Sequence, residues 1–286
     1  MTIKQIDEAL EEGESLKAIA QAYSEIANLK VKRIKNAVER NRAFLDEISQ
    51  VYSIVKAFAI KKKAIVPKPK KRLCILLTSN EKFYGNINSS LINYFVGLSK
   101  ELNDVDKIVL GKAGINFFRA AKILPVYREM MLQKDIPSSA ELEQLALLSA
   151  DYNQVLIFHS KMKNLLIQDT TFTDITSISM YMMDFYVKNL DPKNKKSIPH
   201  FIFEPELPKI LKFFDRQILT LLLEQTFLES ELSRTASRFI SMDSAETEAN
   251  KFIKEYQILK TYTKRNADNN TILENFATMI AVRRET

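Results

Sequence analysis

Few residues in this chain are equipped for chemistry, and they are scattered. His159 and His200 are its two histidines. Both fall in or beside apolar, β-rich runs, with neither a second cysteine nor a spaced carboxylate to complete a metal site. Strand packing or a strand-end hydrogen bond is the expected role. Cys74 is the one cysteine and lies in the apolar run LCILLT. It has no internal disulfide partner, which fits a reducing compartment such as the cytoplasm. Ser79 follows that run but lacks the Gly-x-Ser-x-Gly frame that exposes a nucleophile. Gly111-Lys112 is followed by Ala113, with no upstream glycine framing it, so it does not read as a phosphate loop. No G-x-G-x-x-G fingerprint is present either. No catalytic residue, cofactor or metal is expected.

The elements around these residues are more informative. The last of five glycines is Gly114, and the last of eight prolines is Pro208. Neither residue occurs from Lys209 to Thr286, nor from Glu14 to Val66. Inside a helix they cost about 1 and 3 kcal/mol relative to alanine, so these stretches permit long helices. Within the second, Ile218, Leu221, Gln225, Leu228, Leu232, Thr235, Phe239 and Met242 keep strict 3-4 spacing. The frame continues through Glu246, Ala249, Ile253 and Tyr256. This is the seam of a left-handed coiled coil. As one helix at about 1.5 Å per residue, the stretch would span about 115 Å. A compact globule of this chain length is only about 50 Å across.

The N-terminal stretch offers a matching stripe, Leu16, Ile19, Tyr23 and Ile26, then Ile34, Val38, Leu45, Ile48, Tyr52 and Val55. An amphipathic helix of this length cannot bury its face alone. The C-terminal helix is the expected partner, in an antiparallel pair. The basic segment at 61–72, KKKAIVPKPKKR, ends the first helix at its prolines. It reads as a solvated linker in preference to a nucleic-acid or membrane patch. A net charge of +7 is mild for a nucleic-acid binder. Apolar runs stay short of the roughly 18 residues a membrane span needs. Residues 1–15 lack the apolar core of a secretory signal.

Residues 73–205 alternate. LCILLT at 73–78, KIVLG at 107–111, QVLIFHS at 154–160 and HFIFE at 200–204 read as strands. SSLINYFVGLSKEL, INFFRAAKIL and SSAELEQLALLSA read as helices between them. Such alternation implies a mostly parallel sheet with helices on its faces.

Three stretches together resemble the gamma subunit, the central rotor shaft, of F-type rotary ATP synthases. The family carries K-I-T-K-A-M-E-M-V-A-A-S-K-M-R-K near its N-terminus. Here the segment from Ile19 to Arg33 keeps the Ile, two Ala and the basic cluster. The family's first strand leads into S-T-D-R-G-L-C-G-G-L-N. Here Thr78-Ser79-Asn80-Glu81-Lys82-Phe83-Tyr84-Gly85-Asn86-Ile87-Asn88 keeps Thr/Ser, one Gly and the final apolar-Asn pair. Near the C-terminus the family has E-S-x-x-S-E-x-x-A-R-M-x-A-M-x-x-A and then R-Q-A-x-I-T. Glu229-Ser230, Ser233, Arg238-Phe239, Met242 and Ala245 match in register, and Arg265-Asn266-Ala267 stands in place of Arg-Gln-Ala. The glycine-rich loop and the small-residue C-terminus of the family are not kept, and Asn269-Asn270 precede Thr271.

The resemblance implies an antiparallel coiled coil of N- and C-terminal helices with a central α/β, Rossmann-like foot domain. The segments would be 1–66, 67–205 and 206–286. It implies a non-catalytic shaft coupling ATP hydrolysis or synthesis in a hexameric ring to rotation. Partners would be alpha- and beta-like ring subunits, with an epsilon-like subunit and a membrane ring as further candidates, and neither nucleic acid nor direct membrane insertion. The place implied is the inner face of the cell membrane, on the cytoplasmic side. By match, Lys30, Lys32, Arg33, Lys35, Arg238, Arg265 and Asn266 are candidate ring contacts. The basic four also read as a solvated face. Lys82, Phe83, Tyr84 and Asn86 are candidates for a foot interface. The lost glycines leave room for a hydrolysis-dedicated rotor. Outside this class, a homodimeric coiled-coil adapter predicts pairing between chains through the seam. A nucleotide enzyme with a helical arm would need a phosphate loop.

Overall fold

The computed structural model describes residues 1–61, 71–101, 105–122, 127–176 and 204–285. Helix α1 (Ile3–Lys61) opens the chain and helix α5 (Leu207–Glu285) closes it. Pro208 sits in the first turn of α5, where its missing N–H costs nothing. Between them run β1 (Arg72–Leu77), α2 (Ile87–Glu101), β2 (Val105–Leu110), α3 (Lys112–Ala121), β3 (Arg128–Met130), α4 (Ser139–Ala150), β4 (Gln154–Met162) and β5 (Gln168–Asp174). Three of the four strands expected from sequence are present. The run at 200–204 lies, but for Glu204, outside the described residues, as does most of the basic linker.

The chain forms two compact units, one of Met1–Ala27 with Arg238–Thr286 and one of Asn28–Ser237. The larger holds a five-stranded sheet in the order β3-β2-β1-β4-β5. β1 pairs in parallel with β2 and β4, β2 with β3, and β5 closes one edge antiparallel to β4. Strand side chains alternate between faces, and both faces are covered. Leu73, Ile75 and Leu77 of β1 pack with α4 and with Leu45, Tyr52, Leu221, Leu222 and Phe227 of the two long helices. Cys74 and Leu76 face the other way, onto Leu91, Phe95, Ile115 and Phe118 of α2 and α3. Double coverage explains why β1 and β4 read as near-continuous apolar runs. β3 has three residues and β5 reads QDTTFTD. Neither offers an apolar run, and the sequence pattern passed over both.

Within the larger unit α1 and α5 are antiparallel. Lys30 meets Glu231, Asn41 meets Gln225, Tyr52 meets Asp215, and Val55 packs on Leu207. In the smaller unit the direction is the same. Lys260 pairs with Asp7, Gln21 with Glu246, and Gly13 lies against Phe252 and Ile253. The expected α5 frame holds. Its positions are buried from Ile218 to Thr235 and half-buried or buried from Phe239 to Tyr256.

The α1 stripe needs correction in its first half. Leu16, Ile19 and Ile26 are exposed, and the seam runs instead through Ile6, Gly13, Ala20, Ala27 and Ile34. These recur every seven residues and are mostly small, which lets the two backbones approach closely. A search for large apolar residues selects the wrong face there.

Candidate functional site

In open parallel sheets, ligands bind beyond the carboxyl ends of the strands, where the strand order reverses. Here that point lies at β1, between β2 and β4. The loops beyond it carry Thr78 to Asn86, Gly111, and residues 131–138. Gly111 has φ of 90°, and a Cβ there would lie 2.3 Å from the Thr78 carbonyl oxygen. The Thr78 hydroxyl donates to the Leu110 carbonyl at 2.6 Å and accepts the Gly114 N–H at 2.9 Å. Gly111-Lys112 is thus a tight joint between strand ends. Ser79 is engaged as well, donating to the Glu81 carbonyl at 3.0 Å and accepting from Asn88 at 2.8 Å.

α5 fills the crevice itself. Every residue from 230 to 237 is buried, and only Leu232 and Ala236 among them are apolar. Arg234, 1% exposed, donates to Glu231 at 2.9 Å and to the Asp135 carbonyl at 3.4 Å. Asp135 accepts the Tyr84 hydroxyl at 2.7 Å and the Asn80 N–H at 2.5 Å. Ser237 donates to the Tyr84 carbonyl at 2.9 Å. Ser230 and Ser160 of β4 meet at 3.4 Å. Lys30 of α1 reaches Glu231 at 2.5 Å. The two cations balance two carboxylates, as a buried charge set requires. Burial alone would lower the Arg234 pKa, but Glu231 and Asp135 outweigh it and raise it. Burial, with both carboxylates, raises Tyr84. No sequence motif marks this hub as a unit, because its members come from five separate elements. The one hint was the polar run ESELSRTAS inside an otherwise apolar frame.

Two isolated residues take structural roles. His159 is fully buried, with Nε2 2.7 Å from the Thr173 hydroxyl and Nδ1 3.1 Å from the Ser160 carbonyl. Burial pushes its pKa down to about 4. It joins β4 to β5. Cys74 is buried, and its thiol is pushed up to about 11 by that burial.

The residues expected to meet partners divide in two. Lys32, Arg33, Lys35, Arg265 and Asn266 are exposed on the long helices, and Lys82, Phe83 and Asn86 on the loop after β1. Three others turn inward. Lys30 pairs with Glu231. Tyr84 is 2% exposed within the hub. Arg238 is 4% exposed, its guanidinium 6.0 Å from the Tyr23 ring centre.

A family model described as ATP synthase matches residues 2–274. The chain belongs to the ATP synthase gamma-chain family. Among relatives, the gamma chain of Clostridium beijerinckii is 23% identical over 265 residues, with 89% of each chain covered. That of Clostridium acetobutylicum is 25% identical over 263 residues, with 90% of each covered. The fold matches a chain in the Euglena gracilis mitochondrial ATP synthase, OSCP/F1/c-ring, in rotational state 3. The TM-score is 0.66 at 16% identity, covering 98% of this chain and 94% of that one. A gamma chain is the central stalk of its complex, a non-catalytic subunit. It belongs to the F1 part of a membrane-bound enzyme. Among the described residues, no helix is long and apolar enough to cross a membrane.

Proposed function

We propose that this gamma chain is a rotor shaft that couples nucleotide turnover in a ring of alpha- and beta-like subunits to rotation. The observation that carries this is on the last turns of α5. Ile272, Leu273, Phe276, Met279 and Ile280 are each at least half exposed and recur at helical spacing on one face. A strongly apolar helix face left open to water marks a binding surface. A sleeve formed by the ring is the partner that suits the end of a shaft. The exposed Leu16, Ile19, Ile26 and Leu29 of α1 extend the same logic.

The shaft works by differential contact. Each ring subunit meets a different side of an asymmetric coil, so shaft angle and nucleotide affinity are coupled in both directions. Under this reading Lys32, Arg33, Lys35, Arg265 and Asn266 touch the ring. Lys30 and Arg238 act from inside the coil by setting its shape. Lys82, Phe83 and Asn86 face a partner at the foot, an epsilon-like subunit or a membrane ring, with Tyr84 holding their loop. Residues 1–66 and 206–286 form the shaft, and residues 67–205 the foot. The complex would sit on the cytoplasmic side of the cell membrane. The adapter alternative needs the seam for a second copy, but α1 and α5 of one chain already fill it. Native mass spectrometry after co-expression with ring subunits tests the proposal. A six-plus-one assembly is expected, and a stable homodimer that ignores the ring would overturn it.

A further inference from the structure

The hub at the sheet's carboxyl edge asks for a reason beyond stability. A helix buried on all sides and required only to pack is apolar all round. Replacing a buried ion network with apolar side chains is often neutral or stabilising. Yet six of the eight buried residues from 230 to 237 are polar or charged. What a polar network provides, and an apolar seam does not, is a single setting. If α5 slid by one heptad along α1, part of the seam would still set apolar groups against apolar groups, although Gln225 and Thr235 lie in its frame and Asn41 would leave Gln225. The same slide would carry the Arg234 guanidinium away from the Asp135 carbonyl and Glu231 away from Lys30, so the buried Arg234–Glu231 pair would move as a unit and lose its partners outside α5. Rotation of α5 about its own axis would do the same. Moreover, the anchoring groups come from α1 (Lys30), the loop after β1 (Tyr84), the loop after β3 (Asp135) and β4 (Ser160).

We infer that Arg234, with Glu231, Asp135, Tyr84 and Lys30, forms a torque lock that holds α5 at one axial and angular setting against the sheet. Helix and sheet then turn as one body. The inference rests on the rotor reading, because only a shaft under load needs a joint that does not slip.

The test uses the assembled ring complex, with a bead attached to the sheet-bearing unit. The variant Glu231→Leu/Arg234→Met/Asp135→Asn replaces the joint's buried charges with apolar or neutral groups, and the amide at position 135 keeps its oxygen for the Asn80 N–H while the Tyr84 hydroxyl turns to accept from its NH2. Lys30, already partly exposed, turns to water. Assembly, thermal stability and ATP hydrolysis should stay at wild-type level, while stall torque falls below about half. Wild-type torque in the assembled variant would overturn the lock. If that variant does not assemble, Arg234→Lys keeps the charge but not the forked geometry. Reduced torque is then expected, and wild-type torque overturns the idea. Spin labels at Lys134→Cys and Lys212→Cys separate this from the rotor reading. In the free chain the apolar joint should broaden their distance distribution, and an unchanged distribution overturns the lock. A wild-type complex that hydrolyses ATP without rotating would instead defeat the rotor reading and leave the label distances to judge the lock.

Discussion

Ile19 and Ala20 are neighbours on α1 with opposite surroundings, and a glutamate placed at each should tell the two faces apart. Ile19 is 52% exposed and Ala20 is 4% exposed. At position 20 the new side chain enters an alanine-sized space on the face that pairs with α5. Overpacking costs about 1–3 kcal/mol, and a carboxyl group taken out of water, even when it escapes the larger cost of a buried charge by taking up a proton, adds at least about 1–3 kcal/mol more. Glu246 on the facing helix, bonded to Gln21, adds like-charge repulsion. We expect Ala20→Glu to weaken the pairing of residues 3–27 with residues 238–264 by about 3–5 kcal/mol. Ile19→Glu should stay within about 0.5 kcal/mol. Hydrogen exchange read by mass spectrometry on the free chain measures the difference directly. Amides of residues 3–27 should exchange about a hundredfold to several thousandfold faster in Ala20→Glu, since each tenfold is about 1.4 kcal/mol. In the ring complex the order should reverse, with Ile19→Glu the variant that assembles poorly. Equal exchange in the two free variants, or greater damage from Ile19→Glu, would refute a seam of small residues.

Three further outcomes follow from the structure. His159 has its pKa depressed from 6.5 to about 4, so its contribution is complete above about pH 6.5 and is lost as pH falls toward 4. The whole effect is worth about 3 kcal/mol. Thermal melts of His159→Gln should show a flatter acid limb across that window, and an unchanged limb would clear His159 of the role. Gly111→Ala forces a positive φ on alanine and sets its Cβ against the Thr78 carbonyl. Urea unfolding should show a loss of at least about 2 kcal/mol, and a loss near zero contradicts the tight joint. Leu232→Pro breaks α5 beside its contacts with Ile34, Val38 and Leu228, at a cost of about 3 kcal/mol or more. Hydrolysis should uncouple from rotation, and full single-molecule torque in this variant would count against a continuous shaft.

Much of the architecture was readable from residue order because it depends on local periodicity. The stretch free of glycine and proline after Pro208 and its 3-4 frame announced α5. The double-sided apolar runs of β1 and β4 announced a covered sheet. Reading failed where the signal was not hydrophobic size. The first half of the α1 seam uses Gly13, Ala20 and Ala27, so the larger Leu16, Ile19 and Ile26 misled. A heptad of small residues was the available clue. Lys30 and Tyr84 looked like surface groups by type, and both proved to be turned inward.

From residue order alone come the long helices, the alternating core and the likeness to a rotor shaft. Each rests on spacing along a few turns or a single strand, which neighbouring residues enforce. The side of α1 that meets α5, and the partners of Arg234, belong to the folded chain only. Asp135 lies 99 residues from Arg234, and Tyr84 stands on another loop again. Chain closure over such distances is decided by how the whole sheet packs, so the charges that match there leave no pattern in the order of residues.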